Sequence, residues 1–303
     1  MRHLGRAVIL ALSALLAVAC GGSPGNPHHE GGNAELRIGA IPDQDPQKLQ
    51  RTYGVLSDWL SSKLGVKVEY VPVTDYTASV SAFVRGDLDL VFFGGLTAVQ
   101  AMHQLPGAAP IVQRDIDAEF RSVFVANVGS NIKPVDGVAG LKTLAGHRYT
   151  FGSDTSTSGR LMPQFFLQEA GVGVGDFAGE PGFSGSHDAT WKLVQEGTYE
   201  VGALNAAVWD DRLASGAIDR SKVREVFRTP SYHDYCWVAR PDLDKRFGDG
   251  FTGKVTAALL AIDGSDEHEH EILQAFAAQK FIPTEAANYA QIEAVARDLG
   301  LLN

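Results

Sequence analysis

The turn GSDTSTSGR (residues 152–160) carries the residues of this sequence best suited to chemistry. Ser156, Thr157 and Ser158 supply three consecutive hydroxyl groups, and Gly159 permits close approach of the backbone. The turn separates an apolar run from a helical pattern, so the helix start would add free N–H groups and a positive dipole end. These donors suit an oxyanion. The same residue types are ordinary helix caps, so the turn alone leaves both interpretations open.

Catalytic motifs are missing from the sequence. Ser186, His187 and Asp188 are the residue types of a catalytic triad, but adjacent residues cannot form the required chain of side-chain hydrogen bonds. The sequence also lacks the HExxH and P-loop patterns. We therefore predict a protein that is not an enzyme and needs no cofactor.

Metal and nucleic-acid sites are also disfavoured by composition. The two cysteines, Cys20 and Cys236, exclude a cysteine-rich zinc site, and the acidic run at 266–271 suits a helix start better than a metal. The net charge of −10 argues against nucleic acid as a partner. The same charge repels an anionic ligand, so aimed donors must bind it, with Arg114 and Arg160 as candidate counter-charges.

The first 34 residues predict export and membrane attachment. Arg2 and Arg6 precede an apolar run that ends at residue 19 and is too short to span a membrane, which is typical of a cleaved signal peptide over residues 1–19. The segment LAVAC ends at Cys20 and resembles a bacterial lipobox, so we predict lipidation there. Residues 20–34 are rich in glycine, proline and asparagine and predict a flexible tether. The protein is thus expected on the extracytoplasmic face of the cell membrane.

Strand and helix patterns alternate along the remaining chain. Apolar runs predict strands at 36–41, 66–73 and 88–94, separated by helices at 47–65, capped by Asp45-Pro46, and at about 76–85. This βαβ order predicts a parallel sheet with helices on both faces. A second series follows: strands at 121–128, 147–152 and 199–205, and helices at 138–144, 159–169 and 188–195.

The run YHDYCWVAR (232–240) predicts a return to the first series, and two crossings make a hinge. We therefore expect an α/β fold with two lobes. Lobe 1 would comprise residues 35–124 and 231–303, and lobe 2 residues 125–230.

Four motifs carry a resemblance to a known family. VTDY, VFFGGLTAVQA, STSG and SGSHDA resemble, in order and spacing, periplasmic phosphonate-binding proteins of ABC importers, within the phosphate, phosphite and phosphonate family. The resemblance spans about residues 36–302. Stretches such as GAIPDQDP and VQRDIDAEF are more similar to a branch labelled selenate-binding. The resemblance implies a type II periplasmic-binding-protein fold, with two lobes joined by a two-strand hinge and the ligand between them.

The resemblance also implies site residues. Tyr76, the three hydroxyl residues of the STSG turn and His187 would hold the oxygens of the anion. The full predicted ligand-binding set is Tyr76, Phe93, Gly94, Ser156, Thr157, Ser158, Gly159, His187, Asp188 and Asn205. Four further candidates are Asp43, Arg114, Arg160 and Trp209.

Two departures from the family bear on the ligand. Phe93 replaces a usual tyrosine, and Asp188 replaces a glutamate that helps hold an amine on the ligand, which argues against aminoalkyl phosphonates. Smaller oxyanions fit better: selenate, selenite, phosphite or phosphate. If Asp188 or Asp43 faces the ligand, protonated anions are favoured; if both face away, a fully ionised anion is favoured.

The predicted function is that of a solute-binding lipoprotein. We expect a monomer that closes its lobes on a small oxyanion and delivers it to the permease and ATPase of an ABC importer. The alternative is a sensory lipoprotein, in which the same two lobes report the ligand to a membrane partner.

Overall fold

The structure is a computed structural model that describes residues 35–302. The predicted signal peptide, Cys20 and the tether lie outside the described residues. Two mixed α/β lobes are each built around one sheet, as predicted. Among residues 35–302, no helix combines the length and apolar character needed to cross a membrane.

Eleven strands form the two sheets of the described chain. They are β1 (Leu36–Ala40), β2 (Val68–Tyr70), β3 (Leu90–Phe93), β4 (Ala109–Arg114), β5 (Ser122–Asn127), β6 (Tyr149–Phe151), β7 (Gly182–Phe183), β8 (Val201–Asn205), β9 (Val223–Arg228), β10 (Cys236–Ala239) and β11 (Phe281–Pro283). The α-helices are α1 (Pro46–Leu64), α2 (Tyr76–Arg85), α3 (Gly95–Gln104), α4 (Met162–Glu169), α5 (His187–Gln195), α6 (Ala206–Ala214), α7 (Leu243–Phe247), α8 (Phe251–Leu260), α9 (Glu267–Ala275) and α10 (Ala290–Asp298).

Both sheets are mixed rather than wholly parallel. The first has the order β11-β4-β10-β3-β1-β2, and the second has the order β7-β6-β8-β5-β9. β1 runs parallel to β2 and β3, as the βαβ pattern predicts. β10 lies antiparallel between β3 and β4, and β5 lies antiparallel between β8 and β9. The parallel arrangement thus holds for the three strands of the βαβ pattern, whereas β5 and β10 are antiparallel because each follows a segment that crosses from the other sheet and not a helical crossover.

Helix α1 shows how the sequence places one layer against the first sheet. Asp45 caps it by accepting hydrogen bonds from the N–H groups of Gln47 and Lys48, and Gly65 ends it in a left-handed conformation. Its apolar residues at helical spacing are buried, and each buried leucine contributes about 1.5–3 kcal/mol. The buried face is Leu49, Tyr53, Leu56 and Leu60.

Two extended segments cross between the sheets and pair with each other. The N–H of Phe120 donates to the Tyr232 carbonyl at 2.8 Å, and the Tyr232 N–H donates back to the Phe120 carbonyl at 2.9 Å. The pairing forms the two-strand hinge that the family resemblance implies. Since β5 begins at Ser122, the predicted lobe boundary after residue 124 falls inside a strand of the second sheet.

Candidate functional site

The STSG turn is held in shape by its own hydrogen bonds. Ser156 Oγ accepts from the Gly159 N–H at 3.0 Å, and the Gly152 N–H donates to the Gly159 carbonyl at 2.8 Å. A Cβ on Gly159 would lie 3.1 Å from the Gly152 Cα, so this close approach requires glycine. The turn runs as a π-helical segment, Thr157–Leu161, into α4. This geometry leaves the first N–H groups of the helix without intrahelical acceptors.

Ser158 of the STSG turn and Tyr76 of the first lobe each carry a buried, unpaired hydroxyl. Tyr76 is the first residue of α2, which Asp75 caps, and its side chain is fully buried. Within the described residues, neither the Tyr76 nor the Ser158 hydroxyl makes a hydrogen bond. Burial raises the pKa of Tyr76 well above its usual value, so the phenol remains a donor. Each unpaired buried group costs about 1–3 kcal/mol, a cost that a bound oxyanion would remove.

Asp234 is a site residue that the sequence reasoning missed. Its Oδ1 accepts from the Gly95 N–H at the start of α3 at 2.8 Å, whereas its Oδ2 is buried without a partner. Burial raises the pKa of Asp234 to about 7, and the neighbouring Thr157 hydroxyl acts in the opposite direction. An acid within the aromatic run YHDYCW was the available signal, because a buried carboxylate among apolar neighbours needs a partner.

Gly94 lies where the STSG turn of the second lobe meets the start of α3 in the first. Thr157 Oγ1 accepts from the Leu96 N–H at 2.9 Å, which joins the STSG turn to the start of α3. A Cβ on Gly94 would lie 3.2 Å from Thr157 Oγ1 and 3.3 Å from Asp234 Oδ1. The neighbouring Phe93 packs edge-on against Phe83 in the core of the first lobe, with ring centroids 5.5 Å apart.

His187 belongs to a hydrogen-bonded network beside these groups. Its Nε2 lies 3.2 Å from the Tyr235 hydroxyl, which donates to Asp43 Oδ2 at 2.8 Å. The side-chain amide of Asn205 also donates to Tyr235, while the Asn205 N–H donates to His187 Nδ1. Burial lowers the pKa of His187 to about 4, so the ring is neutral and carries its proton on Nε2. The network links Asp43 of the first lobe to two residues of the second.

The carboxylate of Asp43 has an upward pKa shift. Burial raises its pKa to about 6, although the hydrogen bond from Tyr235 lowers it. Asp43 also lines, with Tyr235 and Asn205, a cavity of about 60 Å³ that opens to solvent. Of the two acids considered from the sequence, Asp43 is therefore the one beside the His187 network.

The structure gives Asp188 protein partners in place of the predicted ligand. Arg212 Nε donates to Asp188 Oδ1 at 2.7 Å, and Arg212 Nη2 donates to Oδ2 at 2.8 Å. The Trp191 indole donates to Oδ1 and the Asp45 N–H to Oδ2. Burial raises the pKa of Asp188, but these hydrogen bonds outweigh it and bring the pKa to about 2. The carboxylate is thus ionised and saturated.

Three other candidates contact protein groups. Arg114 forms a bidentate ion pair with Asp117 and also donates to the Phe276 carbonyl. The guanidinium of Arg160 lies over the Phe151 ring, 4.3 Å from its centroid. Trp209 is buried in a hydrophobic cluster of the second lobe. Within residues 35–302, no group of three His, Cys, Asp or Glu side chains could hold a metal ion.

Comparison with known proteins identifies the relatives of this chain. The family described as "ABC transporter, phosphonate, periplasmic substrate-binding protein" matches residues 38–289. A probable ABC transporter phosphite binding protein of Prochlorococcus marinus is 46% identical over 265 residues, covering 87% of this chain and 89% of its own length. The phosphate-import protein PhnD of Mycolicibacterium smegmatis is 29% identical over 236 residues, covering 74% of this chain and 72% of its own.

A solved structure agrees with these sequence matches. The structure of PhnD1 from Prochlorococcus marinus in complex with methylphosphonate superposes with a TM-score of 0.87 at 45% identity. The match covers 89% of this chain and 99% of that one.

Proposed function

Because the chain belongs to the family of periplasmic phosphonate substrate-binding proteins of ABC transporters, we propose that it captures a small, protonated oxyanion for import. The family is extracytoplasmic and does not catalyse reactions. Phosphite and methylphosphonate, which appear in the names of its relative and of the matching structure, are our first candidate ligands.

One observation carries this proposal: two unpaired donors and one unpaired acceptor are buried on the segments that meet at the STSG turn. Tyr76 and Ser158 supply the donors, and Asp234 Oδ2 supplies the acceptor. A monoprotonated anion offers oxygens to the hydroxyls and one O–H to the carboxylate, so it satisfies all three groups. A fully ionised anion would instead place negative charge against Asp234. The acceptor therefore favours phosphite, phosphate or a small phosphonate over selenate or sulfate.

Lobe closure provides the mechanism. Tyr76 reaches the ligand from the first lobe, Ser158 and the N–H groups of the helix start reach it from the second, and Asp234 lies where the returning segment enters β10. A ligand in contact with all three stabilises the closed form relative to the open form, which lacks half of these contacts. The permease would then recognise the closed lobes.

We propose that Cys20 is lipidated after cleavage of the signal peptide and that residues 20–34 hold the lobes off the membrane. The lipobox-like segment LAVAC supports this proposal. We favour import over sensing because the family is that of ABC transporters. We further propose that the protein acts as a monomer.

We expect isothermal titration of the leaderless protein to rank ligands by protonation. At pH 8, where Asp234 is ionised, phosphite and methylphosphonate should bind, and selenate and sulfate should bind about a hundredfold more weakly or not at all, because the Asp234 carboxylate repels them. Equal affinity for selenate and phosphite would contradict the proposed acceptor. Absence of heat with every oxyanion tested would contradict the proposed function.

Removal of the unpaired hydroxyls should weaken binding without unfolding the protein. We expect Tyr76→Phe and Ser158→Ala each to raise the Kd for phosphite by about tenfold, as for loss of one desolvated hydrogen bond. The control is Tyr70→Phe, a substitution at a tyrosine that stacks on Tyr53 and lies in β2, the edge strand of the first sheet. Unchanged affinity in both cleft variants would show that the hydroxyls do not bind the ligand.

A further inference from the structure

A second set of contacts joins the two lobes without using any of the ligand-binding hydroxyls. Asp188, at the start of α5 in the second lobe, accepts from the Asp45 N–H of the first lobe at 3.0 Å. Lys48, in the first turn of α1, pairs with Asp211 of α6 at 3.0 Å. Arg212 contacts both Asp188 and Asp211, so the set forms one continuous chain of charges across the cleft. We call these four side chains and the Asp45 N–H the clasp.

The positions of the clasp residues make them dependent on closure. Asp45 and Lys48 belong to the N-terminal end of α1, whereas the other three residues lie on α5 and α6. The His187 N–H also donates to the Asp43 carbonyl at 2.9 Å, which brings the start of α5 against the segment before α1. Separation of the lobes would break the contacts of Asp45 and Lys48 and leave the Asp188–Arg212 pair intact within the second lobe.

The hydrogen-bond partners of Asp188 explain why this carboxylate joins the two lobes and does not contact the ligand. Two donors from Arg212, the Trp191 indole and the Asp45 N–H occupy its two oxygens. A carboxylate with both oxygens occupied and its charge paired has nothing left to offer an amine on a ligand. Closure of the lobes adds only the Asp45 N–H to these donors. Arg212 and Trp191 lie in the same lobe as Asp188, so they hold its carboxylate in position before the lobes close.

We propose that Asp188 is a positioning residue and that the clasp sets the lifetime of the closed, ligand-bound state through side chains other than the proposed ligand contacts Tyr76, Ser158 and Asp234. This inference rests on the proposed function, since it assumes a ligand that is released when the lobes open. Contacts present only in the closed form slow opening and therefore slow dissociation. These contacts do not change the rate at which the anion associates with the open lobes.

Helix α1 offers a matched pair of lysines for the test. Lys48 forms its ion pair across the cleft, whereas Lys63, in the last turn, pairs with Glu269 at 3.7 Å within the first lobe. Stopped-flow fluorescence of the leaderless protein with phosphite and methylphosphonate gives association and dissociation rates. We expect Lys48→Met to raise the dissociation rate about two- to fivefold, the effect of one exposed ion pair, with no change in association. Lys63→Met should leave both rates at the wild-type values.

Asp188→Asn tests the centre of the clasp. It should raise the dissociation rate about tenfold or more, because it weakens the bonds to both Arg212 and the Asp45 N–H. If this variant does not fold, Lys48→Met, which changes an exposed side chain, decides the question alone. Dissociation at the wild-type rate in Lys48→Met would overturn the proposal.

A ligand-free measurement separates the clasp from the proposed function. Spin labels at Lys67→Cys and Lys142→Cys, exposed positions in the two lobes, report the distance between them, and the buried Cys236 is protected from labelling. We expect Lys48→Met to shift the distance distribution toward that of open lobes, and Lys63→Met to leave it unchanged. If the wild type binds neither anion, the proposed function fails, and an unchanged distribution in Lys48→Met would then reject the clasp independently.

Discussion

Asp234→Asn should invert the ligand preference of this protein. The Gly95 N–H fixes one oxygen of the residue, so the substituted amide would keep its oxygen there and turn its NH₂ group toward the ligand. A donor then stands where wild-type Asp234 offers an acceptor. We expect the affinity ratio of phosphite to selenate at pH 8, where wild-type Asp234 is ionised, to fall by about a hundredfold or more, since sites that exchange an acceptor for a donor discriminate strongly. Titration calorimetry with both anions measures this ratio.

The same substitution should alter the dependence of binding on pH. Burial raises the pKa of Asp234 to about 7, so below that pH the acid carries a proton, and above it the ligand must bring one. With one proton shared in the complex, wild-type affinity for phosphite should fall about tenfold per pH unit once both Asp234 and the anion are ionised. In Asp234→Asn this fall should disappear.

Asp43→Asn is the appropriate control for both measurements. Asp43 is another buried carboxylate with a raised pKa, but its Oδ2 is bound by Tyr235. Its substitution removes a similar charge from the same cleft, so it should leave the ranking of phosphite and selenate as in the wild type. If Asp43→Asn inverts the ranking and Asp234→Asn does not, the proton acceptor is Asp43.

Gly94→Ala should prevent full closure of the lobes. Gly94 has φ −74°, which any residue adopts, so alanine strains no backbone there. Its methyl group would lie 3.3 Å from Asp234 Oδ1 and 3.2 Å from Thr157 Oγ1 of the other lobe, and the Thr157 contact exists only when the lobes meet. Overpacking of this kind costs about 2 kcal/mol, so we expect the Kd for phosphite to rise about thirtyfold with no loss of thermal stability in the ligand-free protein.

Gly95→Ala provides the adjacent comparison. Its added methyl group would lie 3.4 Å or more from Ile292, Asp234 and His233, which are ordinary van der Waals distances. We expect this variant to bind phosphite much more tightly than Gly94→Ala. Equal affinities in the two variants would mean that the space at Gly94 has no part in closure.

Most of the fold could be predicted from periodicity and capping. The helical spacing of apolar residues and the Asp45-Pro46 cap predicted α1. The first and last residues of α2 also agree with the prediction. Strand β4 and strand β11 were not predicted, since APIVQR and FIP are short and contain proline or polar residues. The antiparallel insertion of β10 between β3 and β4 depends on pairing between distant segments, which local patterns do not encode.

The candidate site was predicted in part. The hydroxyl turn was recognisable because its donors are adjacent in sequence and precede a helix. The partners of Asp188 were not, because Arg212 lies 24 residues away on another helix. Asp234 was missed because its significance lies in burial and in the lack of a partner for one oxygen, properties that exist only in the folded chain.

The pairing of two arginines near the cleft has a consequence for the rates of capture and release. Asp117 and Asp188 neutralise Arg114 and Arg212, whereas Arg160 lies over the Phe151 ring and its Nε and Nη1 have no hydrogen-bond partner among the described residues. Arg114 and Arg212 therefore add little long-range attraction, and the net charge of the protein opposes the approach of an anion in dilute salt. When the anion leaves, these two arginines stay paired with their carboxylates, so its release breaks no ion pair with either of them.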